Sequence, residues 1–222
     1  MTIYQRIIPL TLLLLTSKIW DTIAAPPEPL DLVFFPKNAK GGKCLDGSPA
    51  GFYIRRGSNP NLFVMELEGG GMCLEKNSCG ARVNTPFGSS RYWANTLTAG
   101  LALHSDCQKN PDFCQATAIY LRYCTGDMHL GSRARSNIIS SGYEFHGRLN
   151  FMLMVDMLEA EYGLADATGV LMTGGSAGGI GAYFTVDWLS ERLPNAVVKA
   201  APRVGKIWER IFHFFLSFDV WT

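Results

Sequence analysis

"TGVLMTGGSAGGIGAYFTVDWLSERLP" (residues 168–194) is the stretch that decides the fold. Residues 168–173, "TGVLMT", are mostly β-branched or apolar, the composition of a short buried strand. From Ile180 onward apolar residues fall at helical spacing until Pro194 stops the run. Only "GGSAGG" (174–179) joins the two, so the turn is tight. A buried strand, a tight turn and a helix imply an α/β architecture, a doubly wound sheet with functional loops at the strand C-termini. Within the turn, Gly174-Gly175-Ser176-Ala177-Gly178 satisfies G-x-S-x-G. In a nucleophile elbow the serine takes a strained backbone that lifts Oγ out of the sheet, and crowding demands small residues two before and two after it. Gly174 and Gly178 occupy those places. The following helix turns its N–H groups and the positive end of its dipole toward developing negative charge.

Working outward, "GRLNFMLMVDMLEAEYG" (147–163) has apolar residues at i, i+3 and i+4 and closes on glycine, which predicts a helix. "GFYIRR" (51–56) and "NLFVMELE" (61–68) are expected to be strands forming a hairpin around "GSNP". "TAIYLRY" (117–123) is a third strand, and residues 75–115 form a long irregular excursion. "EGGGMC" follows the second strand directly. An acyl-transfer serine needs one N–H donor from the residue after it and others from a second loop. Ala177 is placed to supply the first, and residues 69–71 lie where bare glycine amides can approach an oxyanion closely.

The bulk composition narrows the class. Hydrophobic content of 47% against 18% charged is too apolar for disorder. A net charge of +1 with no long Lys/Arg run gives no reason to expect a nucleic-acid partner. At the N-terminus, "MTIYQR", the apolar run Ile7–Leu15 and the small residues of "DTIAA" form a signal-peptide pattern with cleavage near Ala24 or Ala25. Lys18 and Asp21 cut that run short of the roughly 20 residues a membrane span needs, so no stable span is expected. Six cysteines, Cys44, Cys73, Cys79, Cys107, Cys114 and Cys124, all follow this segment and suit three disulfides of an exported protein. Fifteen pairings are open. Short loops favour Cys73–Cys79 and Cys107–Cys114, leaving Cys44–Cys124. No C-x-x-C pair occurs and the histidines are scattered, so no metal is expected.

"TGGSAGGIG" invites comparison with the T-G-x-x-x-G-x-G loop of short-chain dehydrogenases, but the last required glycine falls on Ile180. No tyrosine has a lysine four residues later, and most of the domain precedes the loop. A dinucleotide-binding oxidoreductase is therefore the remote alternative, and no cofactor is expected.

The blocks "CLDGSPAGFY" (44–53), "LEGGGMC" (67–73), "GSSRYW" (88–93), "NPDF" (110–113), "RYCTGD" (122–127), "GSAGG" (175–179) and "LPNAVVK" (193–199) together resemble the pectin acetylesterase and Notum family of secreted carboxylesterases. The resemblance covers roughly residues 43–200; "RYCTGD" departs from the more usual Y-C-D-G-S. It implies an α/β-hydrolase-like fold, a Ser–Asp–His triad and hydrolysis of acyl esters on polysaccharide or protein. By matching position Ser176 is the implied nucleophile, with Gly70, Gly71 and Ala177 supplying oxyanion-hole amides.

The resulting organisation is a signal peptide over 1–25, the hydrolase-like domain over 26–200 and a divergent tail over 201–222. In the family the triad acid and histidine lie beyond the serine's helix. Here Asp187, Glu191, Glu209, Asp219 and His213 follow Ser176, and Asp187 is expected on the helix surface. His104, His129 and His146 precede the serine and are expected to be loop or core histidines. The tail suggests a C-terminally incomplete or divergent member, with weak activity and an open sheet edge beside the elbow strand. A non-catalytic secreted module binding an acyl group or glycan is the alternative from another class.

Overall fold

The computed structural model describes residues 27–133 and 142–204; residues 1–25, expected to be a signal peptide, and His213, Glu209 and Asp219 in the tail lie outside the described residues. Seven strands form one mixed sheet: β1 Leu30–Phe34, β2 Gly51–Arg55, β3 Asn59–Leu67, β4 Thr96–Leu97, β5 Ala116–Leu121, β6 Gly169–Gly175 and β7 Val197–Arg203. Their order is β4-β1-β2-β5-β3-β6-β7. The four strands β5, β3, β6 and β7 run parallel, and β2 meets β5 antiparallel. The α-helices among the described residues are α1 Lys76–Arg82, α2 Gly147–Tyr162 and α3 Ala177–Arg192, with short 3-10 turns between elements.

The expected hairpin does not form. β5 inserts between β2 and β3, pairing with both. Donors at the start of β3 and just before it go to β5 and its entry instead: Gly57 N–H to Thr117 Oγ1 (3.2 Å) and Asn59 N–H to the Gln115 carbonyl (2.9 Å). Gly57 crosses so close to this strand that a Cβ there would lie 2.1 Å from the Gln115 oxygen. β3 shows why it belongs at the centre. Residues Phe63, Val64, Met65 and Leu67 are all fully buried, the near-continuous apolar run of a strand covered on both faces.

Two cores divide the sheet. On one face Met65, Leu67, Ile119 and Met172 pack with Phe151, Met154 and Leu158 of α2 and Leu189 of α3. On the other, Val64, Ala118 and Tyr53 pack beneath Leu103 and the excursion that carries β4. That excursion is less irregular than expected, since α1 lies within it. α2 ends on Gly163 in the left-handed conformation (φ 81°), as its C-terminal glycine predicts. α3 starts immediately after Ser176, so the turn is shorter than the sequence suggests.

The six cysteines form three disulfides, Cys44–Cys124, Cys73–Cys79 and Cys107–Cys114. The first ties the segment before β2 to the loop after β5, across 80 residues of sequence. β7 pairs along the whole of β6, so the free edge expected beside the elbow strand belongs instead to β7 among the described residues. The change of sequence pattern at Ala201 falls inside that strand, which continues through Arg203.

Candidate active site

Ser176 is the hinge between β6 and α3, with φ 51° and ψ −120°. A positive φ at a residue carrying a side chain is a strained conformation held by its surroundings. Two backbone hydrogen bonds hold it here: Ser176 N–H donates to the Arg203 carbonyl (2.9 Å), and its own carbonyl accepts from Ile180 N–H (3.0 Å). The side chain stands exposed at the end of the sheet, and Oγ makes no hydrogen bond to a described residue. The crowding around it is steric. A Cβ on Gly174 would lie 2.5 Å from the backbone of Gly178, and one on Gly178 would lie 1.9 Å from the Leu67 carbonyl oxygen. At Gly175 a Cβ would meet nothing within 4 Å.

The loop after β3 runs alongside. A Cβ on Gly69 would lie 2.4 Å from the Gly175 oxygen and 3.5 Å from Ser176 Cβ. Gly70 and Gly71 both have positive φ (148° and 72°), which glycine adopts without strain. The N–H groups of Gly70, Gly71 and Ala177 donate to no described residue. Three open amides thus stand on the two segments that flank the serine.

No local sequence signal marks the groups that support this loop. Glu68 is buried at the end of β3; its carboxylate accepts from Arg122 Nη1 (2.7 Å) and from Tyr123 N–H (2.8 Å). Burial raises its pKa, with Arg122 opposing that effect. Arg82 donates from Nη1 to the Gly70 carbonyl (2.8 Å), and the Tyr123 hydroxyl donates to the Gly71 carbonyl (2.8 Å). His129 is buried, its ring tilted against that of Tyr123 with centroids 4.7 Å apart, and its Nε2 lies 2.9 Å from the Glu68 carbonyl oxygen. Desolvation lowers its pKa, so it is held neutral and Nε2–H is the donor.

The remaining candidates scatter. His104 accepts from Asp106 N–H within its own loop (3.0 Å). His146 is buried before α2, with Nε2 3.3 Å from Glu144 Oε2. Asp187 is exposed on α3, and Glu191 is exposed one turn further on. No described histidine is hydrogen-bonded to Ser176. Among the described residues there is no group of three His, Cys, Asp or Glu side chains arranged to hold a metal. No described helix is long and apolar enough to cross a membrane.

A mixed sheet of this order, with a serine held at positive φ between a parallel strand and the helix after it, defines an α/β-hydrolase-like fold. The sequence model of the pectinacetylesterase family matches residues 24–209, and the chain belongs to that family, together with the Notum carboxylesterases. It is 34% identical over 169 residues to pectin acetylesterase 5 of Arabidopsis thaliana, covering 75% of this chain and 39% of that protein. It is also 34% identical over 152 residues to the human palmitoleoyl-protein carboxylesterase NOTUM, covering 68% of this chain and 30% of that one. The chain therefore spans well under half the length of these relatives. The solved structure of the Wnt deacylase Notum from Drosophila superposes with a TM-score of 0.70, covering 78% of this chain and 52% of the other; at 24% identity this supports the fold alone. The Arabidopsis and human relatives are both named as ester hydrolases, a pectin acetylesterase and a palmitoleoyl-protein carboxylesterase.

Proposed function

We propose that the protein is an exported serine carboxylesterase that removes an acyl group from a polysaccharide or protein through an acyl-serine intermediate. The observation that carries this reading is the elbow itself: Ser176 at φ 51° with an exposed side chain, flanked by the amides of Gly70, Gly71 and Ala177, which donate to no described residue. In the first step Ser176 Oγ bonds to the ester carbonyl carbon while its proton passes to a base. The tetrahedral oxyanion is met by the three amides, and the ester C–O bond then breaks to release the alcohol. Water repeats the addition on the acyl-serine, releasing the acid and restoring the hydroxyl. The family resemblance implies that the base and its acid lie beyond the serine's helix, and His213 is the one histidine of this sequence that follows Ser176. The pectin acetylesterase and palmitoleoyl-protein carboxylesterase relatives support an O-acyl group on a carbohydrate or a protein as the substrate class.

An alkyl fluorophosphonate tests the nucleophile directly, because Oγ attacks phosphorus, fluoride leaves and the adduct survives peptide mapping. Ser176 is expected to be the labelled residue, slowly over hours, and Ser176→Ala to abolish the adduct. Labelling at another serine, or none in folded protein, would overturn the assignment.

A further inference from the structure

We infer that Arg82 is a positioning residue for the oxyanion hole: by holding the Gly70 carbonyl it aims and polarises the Gly71 N–H toward Ser176. The inference rests on the serine-esterase reading above and adds to it the group that sets the loop's geometry.

The loop has no regular structure of its own to orient its amides, and glycine gives it wide conformational freedom. Yet three of its carbonyls are captured by side chains from separate places in the fold. The Glu68 carbonyl meets His129 Nε2 at 2.9 Å, the Gly70 carbonyl meets Arg82 Nη1 at 2.8 Å and the Gly71 carbonyl meets the Tyr123 hydroxyl at 2.8 Å. In a planar trans peptide the C=O and the following N–H point in opposite directions, so fixing one fixes the other. The Gly70 carbonyl shares its peptide with the Gly71 N–H. Arg82 therefore sets the direction of that donor.

Arg82 is also the one charged donor among the three, since Tyr123 is an ordinary hydroxyl and His129 is held neutral. A charge-assisted hydrogen bond on a carbonyl is about twice as strong as a neutral one, and it withdraws electron density from the N–H of the same peptide. The guanidinium is itself fixed. Nε donates to the Phe87 carbonyl at 2.9 Å, and the group lies 4.9 Å from the Tyr123 ring centroid and 5.4 Å from that of Phe87. Nη2 is buried with no hydrogen-bond partner among the described residues, a cost that a purely structural arginine would have little reason to carry. Arg82 ends α1, and α1 is stapled by Cys73–Cys79 to the segment just after the glycines. Helix, disulfide and loop form one small unit.

The test follows the rate of fluorophosphonate labelling at Ser176 in the full chain. Arg82→Ala is expected to lower the second-order rate about tenfold to a hundredfold, the range for a misplaced reacting geometry. Arg82→Lys, which keeps a cationic donor and the packing stem, should retain an intermediate rate. Millimolar methylguanidinium should restore part of the Arg82→Ala rate, while tetramethylammonium should not. A merely structural role would lower the fraction of chain that labels and leave the rate of that fraction and the rescue unaffected. Should Arg82→Ala not fold, the Arg82→Lys rate decides alone, and a rate equal to the parent overturns the inference. Equal rates in all three proteins overturn it while leaving the serine reading intact. A parent whose Ser176 never labels overturns both.

Discussion

Gly178 stands in the first turn of α3, where helix propensity alone favours alanine over glycine by about 1 kcal/mol. Sterics reverse the sign. A Cβ at 178 would lie 1.9 Å from the Leu67 oxygen and 2.8 Å from the Glu68 carbonyl carbon, both main-chain atoms of the central strand and its exit. Neither can move without disturbing β3. Gly178→Ala is therefore expected to destabilise by about 3 kcal/mol or more, at the upper end of overpacking costs, and Gly174→Ala to behave similarly. Gly175→Ala, whose Cβ meets open space, should stay within about 0.5 kcal/mol of the parent. Thermal unfolding of the three variants checks this, and equal effects at 175 and 178 would show that the elbow is not crowded as described.

At the scale of elements, the loop after β5 does more than connect. Residues 123–131 pass between the glycine loop and α3, with Met128 and His129 both at positive φ (58° and 62°). The tightness is mutual: a Cβ on Gly181 of α3 would lie 2.9 Å from His129 Cβ. His129 is thus buried by α3, beside the Asp127 carboxylate and the Tyr123 ring, and its pKa is lowered by desolvation. An unfolded histidine binds a proton near pH 6.5 while this folded one resists, so the unfolded state holds more protons below that pH. Stability then falls as pH falls below 6.5, by at most about 1.4 kcal/mol per pH unit for one proton. His146 acts in the same sense, whereas the raised pKa values of Glu66 and Glu68 oppose it above about 4.5. Comparing variants separates these contributions. Between pH 7 and 5, His129→Gln should lose stability less steeply than the parent in denaturant titrations, and parallel curves would refute a buried neutral His129.

The same loop shows where the sequence stops being informative. Helix α2 and strand β6 could be predicted closely because their signals are local: apolar spacing, a closing glycine, a β-branched run. The β2–β3 hairpin was mispredicted because a strand's partner is not written in its own residues; β5, some fifty residues later, took the place. The elbow and the glycine loop stood out as motifs. Arg82, Tyr123 and Glu68 did not, since the contacts by which they support the loop join residues 12 to 55 positions apart, with no spacing rule to mark them.

For the whole molecule, the sheet is anchored on one side of the elbow by β3 and on the other by β7, whose Arg203 both accepts from Ser176 N–H and pairs with Glu66 at 2.5 Å. The frame around Ser176 is therefore complete within the described residues, none of which is hydrogen-bonded to its Oγ as a base would be. A serine hydroxyl without a base is a weak nucleophile at neutral pH. Loss of triad members in a serine protease still leaves about 10³–10⁴-fold catalysis over water, from the oxyanion hole and binding. The 222-residue chain, expressed through a secretory pathway, is accordingly expected to be a slow esterase. The recovered protein should begin near Ala25 or Pro26 and show no alkylatable thiol, in keeping with its three disulfides. Its turnover of 4-nitrophenyl acetate should depend on Ser176 and fall far below that of a chain extended to carry a downstream Asp and His. Two results would contradict this. Retention of Met1 in the recovered protein would remove the export signal. Turnover equal to the extended chain and lost on His213→Ala would make His213 a working base.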